Sequence, residues 1–137
     1  MRISSFRLLN FKRFEDREVS LEPGLNLIVG GNESGKSSIV EAIGTVLYEN
    51  PASKARALRA LERWGSVGAM RLELAFEQDN RAFRLVKDFG AGRVELKELP
   101  TGGIVTDRST VDRIIAEMLG FPDRDAFESV AAVRQGE

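Results

Sequence analysis

Leu27-Ile28-Val29-Gly30-Gly31-Asn32-Glu33-Ser34-Gly35-Lys36-Ser37-Ser38 is the stretch on which the reading of this chain turns. It fits G-x-x-x-x-G-K-[ST] at Gly30, Gly35, Lys36 and Ser37, and each residue type has a physical reason. Gly30 and Gly35 permit backbone turns closed to residues with a Cβ. Amides from about Glu33 to Ser38, including Ser34, can then converge on phosphate oxygens at the start of a helix, whose dipole favours an anion there. Lys36 is a mobile point charge for the β and γ oxygens, and the Ser37 hydroxyl is a ligand for Mg²⁺. The expected ligand is a nucleoside triphosphate with Mg²⁺. No Asn/Thr-Lys-x-Asp guanine motif occurs, which favours ATP over GTP.

The context around the loop is the one the motif requires. Leu25 to Val29 is a short apolar run, expected as a strand buried on both faces. After the loop, Ile39, Val40, Ile43, Val46 and Leu47 form one stripe at helical spacing, predicting a helix over Lys36–Glu49 that stops at Asn50-Pro51. Upstream, Arg2–Phe11 and Arg17–Leu21 read as strands, with a turn at Pro23-Gly24. Downstream, a helix is expected from about Ala52 to Arg63, with Leu58, Leu61 and Trp64 on one face and Arg56, Arg59 and Arg63 on the other. With Lys54 and Arg71 nearby, those arginines read as a solvated face, or alternatively as a contact for DNA phosphates.

Then the pattern changes. Met70, Leu72, Leu74 and Phe76 alternate with polar positions. Phe83, Leu85 and Lys87 do the same after a turn at Gln78-Asp79-Asn80, and Val94 and Leu96 continue after Gly90-Ala91-Gly92. This predicts a three-stranded antiparallel meander. Val111, Ile114, Ile115, Met118 and Leu119 predict a helix ended by Gly120, and Asp123 reads as the N-cap of another short one.

Composition bounds the chemistry. The 137 residues are 42% apolar and 30% charged, with net charge −1, as in an ordinary globular domain rather than a polycation that coats nucleic acid. No apolar stretch is long enough to span a bilayer, so no membrane role is expected. There is no cysteine and no histidine, which removes disulfides, thiolate metal sites and the commonest general base. A cytoplasmic or nucleoid-associated location fits.

The flanks of the loop carry a resemblance. Residues 8–43, LLNFKRFEDREVSLEPGLNLIVGGNESGKSSIVEAI, are similar to the N-terminus of the SMC/SbcC branch of ABC-type ATPases, which includes the double-strand-break repair ATPase Rad-fifty. Residues 127–137, FESVAAVRQGE, resemble that family's Q-loop. YhaN-like coiled-coil ATPases share the loop and are close relatives. The resemblance implies an α/β fold: an ABC-type P-loop NTPase N-terminal lobe, with a mixed sheet around the loop helix and an antiparallel meander, forming a single unit over residues 1–137. It implies that Gln135 ligates Mg²⁺ and senses the γ-phosphate beside Lys36, that Asn32 is the loop asparagine, and that Lys12 and Arg13 lie near the nucleotide. Glu33 departs from the family's usual glycine, and its side chain must point away from the polyphosphate.

The resemblance also implies what this stretch lacks. Neither Leu85-Val86-Lys87-Asp88 nor Ile104-Val105-Thr106-Asp107 has the apolar run and Asp-Glu pair of a Walker B strand, and no L-S-G-G motif occurs. Hydrolysis is therefore expected to require a complementary C-terminal lobe and dimerisation of two heads, leaving this chain alone inactive or very weak. An open sheet edge would favour self-association. The implied partners are that lobe, a second head, a nuclease subunit, and DNA through the complete complex. A P-loop kinase or phosphotransferase, or a nucleotide-dependent interaction module without catalysis, is the alternative.

Overall fold

A computed structural model describes residues 2–12, 14–20, 33–62, 68–100, 102–120 and 124, with backbone only over 33–40. The elements run β1 (Arg2–Phe11), β2 (Phe14–Ser20), α1 (Glu33–Tyr48), α2 (Arg56–Arg59), β3 (Arg71–Gln78), β4 (Arg81–Asp88), β5 (Arg93–Leu99), β6 (Ile104–Val105) and α3 (Arg108–Leu119). The strands form one sheet in the order β2-β1-β3-β4-β5-β6, with each described pairing antiparallel. The expected meander is β3–β5, in unbroken register from Arg71↔Asp88 to Gln78↔Arg81 and from Ala82↔Leu99 to Asp88↔Arg93. Sequence reading did not join it to the N-terminal hairpin; β1 pairs along β3 from Arg2↔Glu77 to Leu9↔Arg71. The strand expected at Leu25–Val29, on which a mixed sheet depends, lies outside the described residues, as does the helix expected after Asp123 apart from Arg124.

Strand alternation sorts the two faces. Leu72, Leu74 and Phe76, then Phe83, Leu85 and Lys87, then Val94 and Leu96 are all buried. The rings of Phe76 and Phe83 stack with centroids 5.3 Å apart. α1 lays Ala42, Ile43, Val46 and Leu47 into this layer, and α3 adds Val111 and Ile115. Burying each large aliphatic side chain stabilises the fold by about 1.5–3 kcal/mol. The opposite face carries charges, among them the Arg7–Asp16 pair at 2.9 Å and Glu73 between Arg71 and Arg84. Among the described residues, helices therefore pack on the apolar face of the sheet. No described helix is long and apolar enough to cross a membrane.

α3 ends as expected: Gly120 is left-handed at φ 76° and donates its amide to Ala116 O at 2.9 Å. Its start was not foreseen. Asp107 is the N-cap, accepting from the Thr110 amide at 3.0 Å and the Thr110 hydroxyl at 2.6 Å. The hydroxyl, then the amide, hold the Asp107 carboxyl below its ordinary range. The helix expected over Ala52–Arg63 contracts to the four residues of α2. The physical reason is competition for backbone groups: Leu61 O accepts the Lys12 amide at 2.7 Å, and Glu62 bridges Phe11. Those bonds pull the chain away from helical geometry toward the end of β1.

Candidate functional site

The residues that could meet a phosphate cluster at the front of α1. This helix begins at Glu33, so Glu33, Ser34, Gly35 and Lys36 supply its first four amides and Ser37 and Ser38 follow in the second turn. The first four N–H groups of a helix have no acceptor within it and carry the positive end of its dipole. Gly30 and Asn32 lie outside the described residues, as do Arg13 and Gln135.

Lys12 is described, and it reaches toward the same helix. Three features hold it. Asn10 takes φ 53°, interrupting the alternation of β1, so that after Phe6 and Leu8 the next buried residue is Phe11. Asn10 also donates its side-chain amide to Ala69 O at 3.0 Å. Lys12 itself is left-handed at φ 51° in the β1–β2 connection, a conformation unusual outside glycine and supported here by its amide bond to Leu61 O. The Lys12 ammonium then stands 2.8 Å from Glu41 Oε1, an oxygen shut off from solvent on the third turn of α1. The β1–β2 turn is thereby tied to the helix that follows the glycine-rich loop.

The rear of α1 is held by Lys87 and Arg124, which sequence reading did not single out, and by Arg59, which it placed on a basic face. Lys87 is fully buried on β4 and donates to the Glu49 carbonyl oxygen at 2.7 Å. Burial pushes its ammonium down to about 8; Asp112 and Glu49 pull the other way, and Arg108 adds to the depression. The turn Asn50–Ser53 is held by Arg59, whose guanidinium donates to Ser53 O at 3.0 Å, Phe89 O at 2.8 Å and Pro51 O at 3.3 Å. Arg59 also meets Glu62 at 3.3 Å. This corrects the expected basic face. Arg59 does not share a solvated arc with Arg56 but turns inward, because the carbonyls of a tight turn need donors. Arg56 is exposed, and Arg63 lies outside the described residues. Arg124 completes the cluster with a 3.0 Å contact to the Glu49 carboxylate. The one signal for Lys87 in the sequence is its place on the apolar side of the alternation Phe83-x-Leu85-x-Lys87.

Comparison with known proteins bears on the family. Residues 5–127 match the family described as AAA domain. The DNA double-strand break repair Rad50 ATPase of Pyrococcus abyssi is 36% identical over 100% of this chain and 16% of its own length. That of Halobacterium salinarum is also 36% identical, over 100% of this chain and 16% of its own. That of Methanocaldococcus jannaschii is 28% identical over 100% of this chain and 13% of its own. The chain thus spans 13–16% of the length of these curated relatives. With the loop motif, the helix behind it and the match over residues 5–127, the chain belongs to the AAA domain family, in the Rad50-like SMC/SbcC branch of ATPase lobes.

Proposed function

We propose that this chain is the Mg-ATP-binding N-terminal lobe of an SMC/SbcC-type ATPase head acting in DNA double-strand-break repair or chromosome maintenance. The observation that carries the reading is the spacing Gly30, Gly35-Lys36-Ser37 at the opening of a 16-residue helix. The donor set suits the ligand. Amides of residues 33–36 lack helical acceptors, and the Ser37 hydroxyl and Gln135 amide oxygen are hard donors of the kind Mg²⁺ takes. Bound there, Mg²⁺ would neutralise charge on the β and γ oxygens.

The chain's own residues then divide the work. The loop backbone from Gly30 through Asn32, Glu33, Ser34 and Gly35 to Ser38 cradles the phosphates. Lys36 balances their charge and steadies the γ-phosphate. Lys12 and Arg13 add positive charge beside the site, Lys12 from its seat on Glu41. Hydrolysis needs a positioned water and further charge stabilisation, which we assign to a complementary C-terminal lobe and a second head. A nuclease subunit, and DNA contacted through the assembled complex, follow from the same reading, as does a cytoplasmic or nucleoid location. The phosphotransferase alternative gains no support from a sheet whose described pairings are all antiparallel.

The test is ATP turnover by this chain alone, by a candidate C-terminal lobe alone, and by the mixture. Turnover confined to the mixture, and abolished by Lys36→Ala, is the expected result. Rapid phosphate transfer to a small acceptor by the chain alone would overturn the proposal.

A further inference from the structure

Glu49, one residue beyond α1, receives cations from two distant parts of the chain. Its carbonyl oxygen takes Lys87 Nζ at 2.7 Å, and its carboxylate takes Arg124 at 3.0 Å. Lys87 comes from the middle of the meander; Arg124 precedes Gln135 by eleven residues in sequence (135 − 124). Lys87 is an unexpected occupant of its position. Its neighbours on the same face, Phe83 and Leu85, are apolar, and the side chain is fully buried. A methionine would fill similar space without carrying an ammonium out of water, and such replacements of buried charge are often neutral or stabilising. The bond Lys87 does make is to the end of the helix whose other end opens on the glycine-rich loop.

We propose that Lys87 and Arg124 are positioning residues of the nucleotide site: through Glu49 they fix the rear of α1 against β4 and link it to the segment that leads to Gln135. The inference rests on reading Gly30–Ser37 as that site. A helix of this length is a stiff rod of roughly 24 Å. Its front cannot be set while its rear is free to slide on the sheet, and a misplacement of about 1 Å in a binding constellation can cost up to about 100-fold. Val46 and Leu47 press α1 onto the layer but are non-directional; the Lys87 bond fixes where along the layer the helix stops. Arg124 adds a second contact on the same residue, to the Glu49 carboxylate.

Lys87→Met, Lys87→Gln and Arg124→Gln in the intact protein test this. The readouts are affinity for a fluorescent ATP analogue with Mg²⁺, the melting midpoint, and hydrogen exchange along α1. Lys87→Met is expected to weaken binding about tenfold, with a melting midpoint within about 4 °C of wild type and faster exchange in the last two turns of α1. Lys87→Gln keeps a neutral donor and recovers part of the affinity. Arg124→Gln weakens binding about threefold. Wild-type affinity and unchanged α1 exchange in both Lys87→Met and Arg124→Gln would overturn the proposal. Should Lys87→Met not fold, Arg124→Gln decides it by the same two readouts. If the wild-type protein does not bind the analogue, the nucleotide reading fails, and α1 exchange in the variants still decides whether the brace exists.

Discussion

At its front, α1 opens on Glu33-Ser34-Gly35-Lys36, with a glycine in the first turn and four amides that the helix does not use. At its rear, the chain from Glu49 to Ser53 is held on several sides: Lys87 on the Glu49 carbonyl, Arg124 on its carboxylate, Arg59 on the carbonyls of Pro51 and Ser53. At the front the helix itself offers these amides no acceptor, whereas at the rear side chains from elsewhere in the chain supply donors. The apolar layer under the helix and its two ends should therefore give different signatures: changes in the layer are read in unfolding, changes at the front in affinity alone, and changes to the rear contacts in affinity together with exchange along α1.

The largest effect tests the layer. Leu47 is 1% exposed in the layer between α1 and the sheet; Leu47→Ala is expected to cost about 3 kcal/mol, seen as a lower urea midpoint with little change in slope. The second uses pH. The Lys87 ammonium is pushed below its ordinary 10.5 to about 8, so the folded protein releases this proton before the unfolded chain does. Between those values the unfolded state holds more protons, and stability should rise with pH, by about 1.5 kcal/mol from pH 8 to 9.5. Urea titrations at the two values should show the gain in wild type and lose it in Lys87→Met. Asp112, Glu49 and Arg108 face the same ammonium. Substitution of Asp112 by Asn should therefore lower the start of this window.

The front gives effects of another kind. Lys36→Ala should leave the melting midpoint of the ligand-free protein unchanged and weaken ATP-analogue binding about thirtyfold, about 2 kcal/mol for a lost charge-assisted contact. If it melted the fold instead, the two ends of α1 would not be distinct. The smallest effect is a control away from both ends. Gly120 is left-handed at φ 76° with no described atom within 4 Å of an added Cβ, so Gly120→Ala should cost about 1 kcal/mol through backbone conformation. Affinity should be untouched.

Much of this organisation was legible in the sequence, for reasons that can be stated. The meander followed from strict alternation, because each strand has one buried face; the end of α3 followed from Gly120, because only the glycine takes a left-handed stop cheaply. The loop motif was legible because phosphate binding by backbone amides restricts residue types at fixed spacing. What was not legible depends on contacts between distant residues. Nothing near Leu61 in sequence announces that the Lys12 amide will claim its carbonyl and shorten α2. Arg59 looked like its neighbour Arg56, and its inward turn depends on where the carbonyls of Pro51, Ser53 and Phe89 come to lie. Lys87 stood on the apolar side of its strand, yet its partner is a main-chain oxygen 38 residues away.

The pairing of β1 with β3 bears on how the protein folds. β3, β4 and β5 are joined by tight turns and can assemble from neighbouring sequence, whereas Arg2↔Glu77 closes 75 residues (77 − 2) in one step, with α1 inside the loop so formed. Closing long loops loses chain entropy before contacts compensate, so non-local pairings tend to form late. The meander is then the expected nucleus, onto which the N-terminal hairpin docks. Leu85→Ala should mainly slow refolding and Phe6→Ala mainly speed unfolding, which stopped-flow chevrons of the two variants would separate. In synthesis from the N-terminus β1 emerges well before β3, so its pairing with β3 must wait while its pairing with β2 need not.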